Sequence, residues 1–165
     1  MFSPYIKYII LLILAIVIQK SFIWLISISQ YNIIPDIPLI IIIFIGLKRG
    51  RLEATISGFA AGLIIDILSG TFVGLSALVY SIIGFIAGYF KREDDKYLKR
   101  YYFSLLVFIL LLIGNVIYFF TYFQSYSLLF LEVLLKYVIP NSTYTALVSL
   151  VYLIFPRGKQ SSLAY

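Results

Sequence analysis

Residues 32–90 read NIIPDIPLIIIIFIGLKRGRLEATISGFAAGLIIDILSGTFVGLSALVYSIIGFIAGYF. Three apolar segments are separated by a basic turn, Lys48-Arg49-Gly50-Arg51, and an uncharged turn, Leu68-Ser69-Gly70-Thr71. One carboxylate, Asp66, stands inside the second segment, four and eight residues after Gly62 and Gly58. Segments this apolar, joined by turns this short, predict a helical hairpin series in a membrane.

The rest of the chain agrees. Of its 165 residues 62% are hydrophobic and 12% are charged, against about 45–50% and about 25% for soluble domains. The expected architecture is an all-α integral membrane protein with six transmembrane helices and short loops. Residues 1–157 form one domain, and 158–165 form a disordered cytoplasmic tail. The first span covers Tyr5–Ser27; its apolar stretch is too long for a signal peptide, and no small-residue cleavage pattern follows. The second covers Ile33–Leu47, with Pro35 and Pro38 in its first turn, where proline is tolerated. The third and fourth cover Leu52–Leu68 and Phe72–Phe90, and the fifth Tyr101–Phe123. Leu128–Phe155 is too long for one span, and Pro140-Asn141-Ser142 is expected to break it. An interfacial helix over Leu128–Val138 then precedes a sixth span over Asn141–Phe155, with Glu132 and Lys136 paired one turn apart. One long kinked helix is the alternative.

Charge orients the spans. Lys7, Lys48, Arg49, Arg51, Lys91, Arg92, Lys96, Lys99, Arg100, Arg157 and Lys159 all fall on one side. The opposite turns, 28–32, 69–71 and 124–127, hold no basic residue. The positive-inside rule places both termini in the cytoplasm. The net charge of +6 is therefore read as membrane orientation, with lipid rather than nucleic acid as its partner.

Chemistry is sparse. No cysteine or histidine occurs, which removes thiol catalysis, the commonest metal ligand and the commonest general base. No phosphate-binding glycine loop is present. The seven acidic residues are scattered, apart from Glu93-Asp94-Asp95 in a basic loop. An enzyme is not expected, nor is a cofactor or metal site. Two patterns do stand out. Ala54, Gly58, Ala61, Gly62 and Ser69 share a helix face with Asp66, and Ala77, Ser81, Gly84 and Gly88 follow helical spacing on the next span. Small residues let helices approach closely in lipid, serving internal packing or partner docking. A short echo, Gly58-Phe59-Ala60-Ala61-Gly62 against Gly84-Phe85-Ile86-Ala87-Gly88, fits a shared packing need.

The second pattern is polar. Asp66 lies about 21 Å along its helix from Leu52, Lys20 about 20 Å from Lys7, and Asn115 about 21 Å from Tyr101. All three then reach one level in the outer half of the membrane, and a Lys20–Asp66 pair is expected. The cluster could serve as a structural network, a proton or ion path, or the floor of a substrate pocket. Lys20 alone could instead lift its ammonium to the outer headgroups.

Several motifs coincide: Pro35-Asp36 opening a short span, Arg49-Gly50 in a basic turn, and Gly58-Phe59-x-x-Gly62-Leu63-x-x-Asp66-x-x-Ser69-Gly70. Gly74-Leu75-x-Ala77-Leu78 and Gly84-Phe85-x-Ala87-Gly88 follow. With these the chain, over residues 5–157, resembles the MreD family of bacterial rod-shape-determining membrane proteins. Ser76 departs from the asparagine that many relatives carry. The resemblance implies a non-enzymatic scaffold of the cell-elongation complex in the cytoplasmic membrane, helping to organise lateral-wall peptidoglycan synthesis. Its direct partner would be MreC, met through transmembrane helices. MreB, RodA and a class B penicillin-binding protein would be indirect partners. It also implies a fold similar to the substrate-binding subunits of energy-coupling-factor vitamin transporters, and such a subunit is the rival functional reading.

Overall fold

The structure is a computed structural model that describes residues 3–21, 33–70, 72–91, 100–124 and 130–150, without the side chains of 3–5, 100 and 101. Its regular elements are helical: α1 Ser3–Ser21, α2 Ile37–Arg49, α3 Arg51–Ser69, α4 Leu75–Tyr89 and α5 Arg100–Tyr122. A last helical run comprises α6 Phe130–Val133, a π-helical turn Leu134–Val138, and α7 Ile139–Ser149. Among the described residues, α3 and the Tyr102–Tyr122 part of α5 are long and apolar enough to cross a membrane. The outer end of the first span and the tail at 158–165 lie outside the described residues.

α4 is the central helix, packed on α3 most extensively and also on α2 and α5. The reason lies in the small residues. A Cβ on Gly62 would stand 2.5 Å from Ala77 Cα, one on Gly58 2.5 Å from the Tyr80 carbonyl oxygen, and one on Gly84 2.6 Å from that of Ala54. On Gly88 it would collide with Arg51 Cα. Residue numbers in these pairs rise on one helix as they fall on the other, so α3 and α4 run antiparallel. Their backbones meet along the whole seam. The echoed pentapeptides put Gly58, Gly62, Gly84 and Gly88 in that seam, while Phe59 and Phe85 stay about half exposed, at 55% and 50%. Ala54 and Ala77 are fully buried, and Ser81 returns its hydroxyl to the Ala77 carbonyl at 2.7 Å. Gly58, Gly62, Gly84 and Gly88 are therefore closed into the α3–α4 seam, while Gly70 and Gly74 have nothing within 4 Å of an added Cβ.

Around this pair, Ile42, Ile43, Ile83, Val107, Leu110 and Leu111 build the apolar core. Large apolar side chains such as Ile9, Ile56, Ile67 and Leu105 remain exposed. That distribution suits a chain whose exterior faces lipid rather than water.

Pro140 does not end the last helix. α6, the π-helical turn and α7 abut without a gap, so the interfacial-helix break expected at Pro140 is replaced by a continuous run from Phe130 to Ser149. Proline lacks the N–H that would bond back one turn. The π turn, closed by the Ile139 N–H on the Leu134 carbonyl, shifts the register immediately ahead of it. Glu132 and Lys136 do form an ion pair, on this run.

One end of the bundle is basic. Lys91 Nζ donates to the Arg49 carbonyl at 3.0 Å, beside Gly50. Arg49 lies over the Tyr8 ring, and Arg51 over those of Phe85 and Tyr89. Lys48 lies in the last turn of α2, at the same end. Arg92, Lys96 and Lys99 are outside the described residues, and only the backbone of Arg100, opening α5, is described.

Candidate functional site: a polar cavity between two capped helices

Two of the helices are short. α2 has 13 residues and α4 has 15, or about 20 and 22 Å, against a hydrocarbon core of about 30 Å. Both begin inside the bundle at the end opposite the basic one, and a helix start leaves N–H groups without partners. Each start carries its own carboxylate.

At α4 the cap is Asp66. It is fully buried, and its two oxygens accept from the backbone N–H groups of Gly74 at 2.8 Å, Ser76 at 3.0 and 3.1 Å, and Ala77 at 3.3 Å. Gly70 ends α3 with φ 64° and Gly74 opens α4 with φ 102°, left-handed conformations that return the chain onto the carboxylate. A negative charge at a helix N-terminus is favoured by the helix dipole as well as by these bonds. The expected ion pair is thus replaced by two separate contacts. Asp66 is held by backbone, and Lys20 Nζ donates to Ser69 Oγ at 2.5 Å. Ser69 in turn donates to the Ile65 carbonyl at 2.6 Å.

At α2 the cap is Asp36, which sequence patterns mark only as a helix start. Its Oδ1 accepts from the Leu39 N–H at 3.2 Å and from the Tyr80 hydroxyl of α4 at 2.5 Å. Its own N–H donates to Thr145 Oγ1 of α7 at 3.1 Å. Asp36 therefore ties α2 to both α4 and α7.

α7 presents a polar stripe inward. Ser142 and Thr145 are fully buried and Ser149 nearly so, at the spacing of one helix face. Asn115 of α5 donates to Ser142 Oγ at 2.9 Å and accepts from Asn141 Nδ2 at 3.4 Å.

Between these groups lies a cavity of about 230 Å³, lined by Gln19, Lys20, Asp36, Ser69, Ser76, Tyr80, Asn115, Tyr118 and Asn141 among others. The structure brings Lys20 and Asn115 to its wall and leaves Asp66 behind that wall, under Ser76. Of the cavity-side residues, Gln19 and Tyr80 are not among those that sequence patterns single out, and Asp36 and Asn141 stand there only as a span-opening motif and an expected helix break. The signals for a polar role of the latter two are the Asp-x-Pro start at 36–38 and the Asn-Ser-x-x-Thr spacing at 141–145. Two of these residues carry a buried amide oxygen, Gln19 Oε1 and Asn141 Oδ1, that has no hydrogen-bond partner. Leaving such a group unpaired costs about 1–3 kcal/mol. Among the described residues no carboxylate cluster is placed to hold a metal ion.

A model of the rod shape-determining protein MreD matches residues 3–157, nearly the whole chain. The chain belongs to the MreD family. It is a rod shape-determining membrane protein of that kind, and its all-helical bundle with a lipid-suited exterior accords with it. No curated protein and no solved structure matches the chain.

Proposed function

We propose that this MreD-family protein is a non-enzymatic scaffold of the bacterial cell-elongation complex. It crosses the cytoplasmic membrane six times with both termini inside, and binds MreC through transmembrane helices. Through MreC it works with MreB, RodA and a class B penicillin-binding protein in lateral-wall peptidoglycan synthesis. The family match over residues 3–157 carries this reading.

Two features support it. Lys48, Arg49, Arg51 and Lys91 gather at one end, where they can also attract anionic lipid at about 1 kcal/mol per basic residue near the surface. The opposite end holds a buried polar cluster in which Asp66 caps α4 and Asn115 ties α5 to α7. With the α3–α4 seam closed, the faces left for MreC are outer ones, such as the Ile56, Phe59 and Ile67 side of α3. The test is detergent co-purification with the cognate MreC. Stable 1:1 or higher-order retention is expected, and recovery of the chain alone at every salt and detergent tried would refute it.

The cavity favours a second reading, a substrate-binding subunit of a vitamin-type transporter. Its size weighs against that. About 230 Å³ is below the roughly 300–1,000 Å³ of sites that enclose drug-sized ligands.

A further inference from the structure

We propose that the basic end of the bundle holds one anionic phospholipid at a fixed place, its phosphate on Arg51 and Lys91 and its chains along α4. This site requires the membrane-spanning reading above but not MreC binding. It differs from an even attraction of lipid to a basic surface, because particular side chains make it.

The cations at this end are not alike. Arg49 stands 3.9 Å from the Glu53 carboxylate. Arg51 and Lys91 pair with no carboxylate among the described residues. Arg51 lies over two rings of α4, 5.8 Å from the centre of Phe85 and 5.2 Å from that of Tyr89. Aromatic rings fix a guanidinium in place without supplying the anion that its fork of N–H donors matches, a phosphate or carboxylate. Lys91 lies beside it. Its stem crosses Gly50, where an added Cβ would stand 3.2 Å from Lys91 Cδ and 3.7 Å from Nζ. That ammonium has three donors, one of which goes to the Arg49 carbonyl.

The surface next to these cations fits a lipid rather than free phosphate. Leu78, Phe85 and Tyr89 recur at spacings of seven and four on one face of α4. All three are exposed, at 52, 50 and 69%. From Tyr89 to Leu78 the helix rises about 16 Å, close to half of a hydrocarbon core about 30 Å thick. The stripe therefore starts at the cations and ends near the midplane, as the chains of one phospholipid do. An acidic protein segment outside the membrane would meet the cations but not the stripe. The Ile56 and Ile67 side of α3, left for MreC, is not part of it.

Native mass spectrometry of the full chain tests this, after release from nanodiscs of equal parts phosphatidylglycerol and phosphatidylcholine with matched chains. Retention of one phosphatidylglycerol per chain is expected, in preference to phosphatidylcholine. Arg51→Gln should cut that retention roughly tenfold, as loss of a charge-assisted phosphate contact does, and Lys91→Gln roughly fivefold. Both residues are exposed, so both variants should fold. Lys7→Gln removes the same charge from α1 and should change retention by less than about twofold. Phe85→Leu with Tyr89→Leu keeps every charge, yet should weaken retention about threefold because Arg51 loses both rings. Equal retention of the two lipids overturns the proposal. Equal losses in Lys7→Gln and Arg51→Gln overturn the fixed site, and release by inorganic phosphate overturns the lipid as occupant. Co-purification with MreC is read in parallel. Loss of MreC from Arg51→Gln with phosphatidylglycerol retained assigns the cations to a protein and overturns the lipid site. Wild type that retains phosphatidylglycerol without MreC supports the site and refutes only the scaffold reading.

Discussion

The α3–α4 seam and the outer cavity sit on the same two helices and obey opposite rules. In the seam, four glycines bring backbones together so closely that an added Cβ would meet Tyr80, Ala77, Ala54 or Arg51 backbone atoms. Among the described residues, no buried side-chain polar atom in it lacks a partner. A few residues further along, the helices stop short, and the space opened is lined by amides, hydroxyls and charges, two of them unpaired. Asp66 is the hinge between the two regimes, since it closes the turn where the seam ends. The difference teaches that the small-residue pattern holds the bundle together, while the polar residues near it hold open a space.

That contrast can be broken at the cap first. Asp66→Ala should strand the N–H groups of Gly74, Ser76 and Ala77, at about 1–3 kcal/mol for each buried donor. Loss of most folded protein is expected, read as detergent-stable yield and melting temperature, with Asp66→Asn milder because it keeps one acceptor oxygen. The seam comes next. Gly62→Ala or Gly58→Ala forces a methyl into backbone, and overpacking costs about 1–3 kcal/mol. A clear fall in melting temperature is expected, whereas Ala60→Leu on the exposed side of α3 should change it little. A partner-docking role for the seam would reverse the readout, with stability kept and MreC co-purification lost. Cavity changes rank lowest. Lys20→Met removes the contact to Ser69 on a part-exposed residue and should cost less than about 1 kcal/mol. Combined with Gly62→Ala it should add to within about 0.5 kcal/mol, as independent sites do.

Much of the fold is legible in sequence because it is local. The basic turn and the glycine spacing at 58, 62, 84 and 88 are short-range patterns, and each lands where its period puts it. The Asp36 cap is written in the Asp-x-Pro start of α2. What periodicity does not carry is the tertiary pairing of polar groups. Depth arithmetic sets Lys20, Asp66 and Asn115 at one level but says nothing of which direction each faces. Asp66 is claimed by a turn ten residues downstream, and Asn115 by Ser142, 27 residues away. The continuity of the last helix through Pro140 likewise depends on a π turn, which no proline rule announces.

The most direct test of the cap is a charge swap between Lys20 and Asp66. If Asp66 serves α4 rather than Lys20, Lys20→Asp with Asp66→Lys should be as damaged as Asp66→Lys alone, in melting temperature and in restoring rod shape to cells lacking the protein. Recovery of the double variant toward wild type would show a direct ion pair and contradict the account.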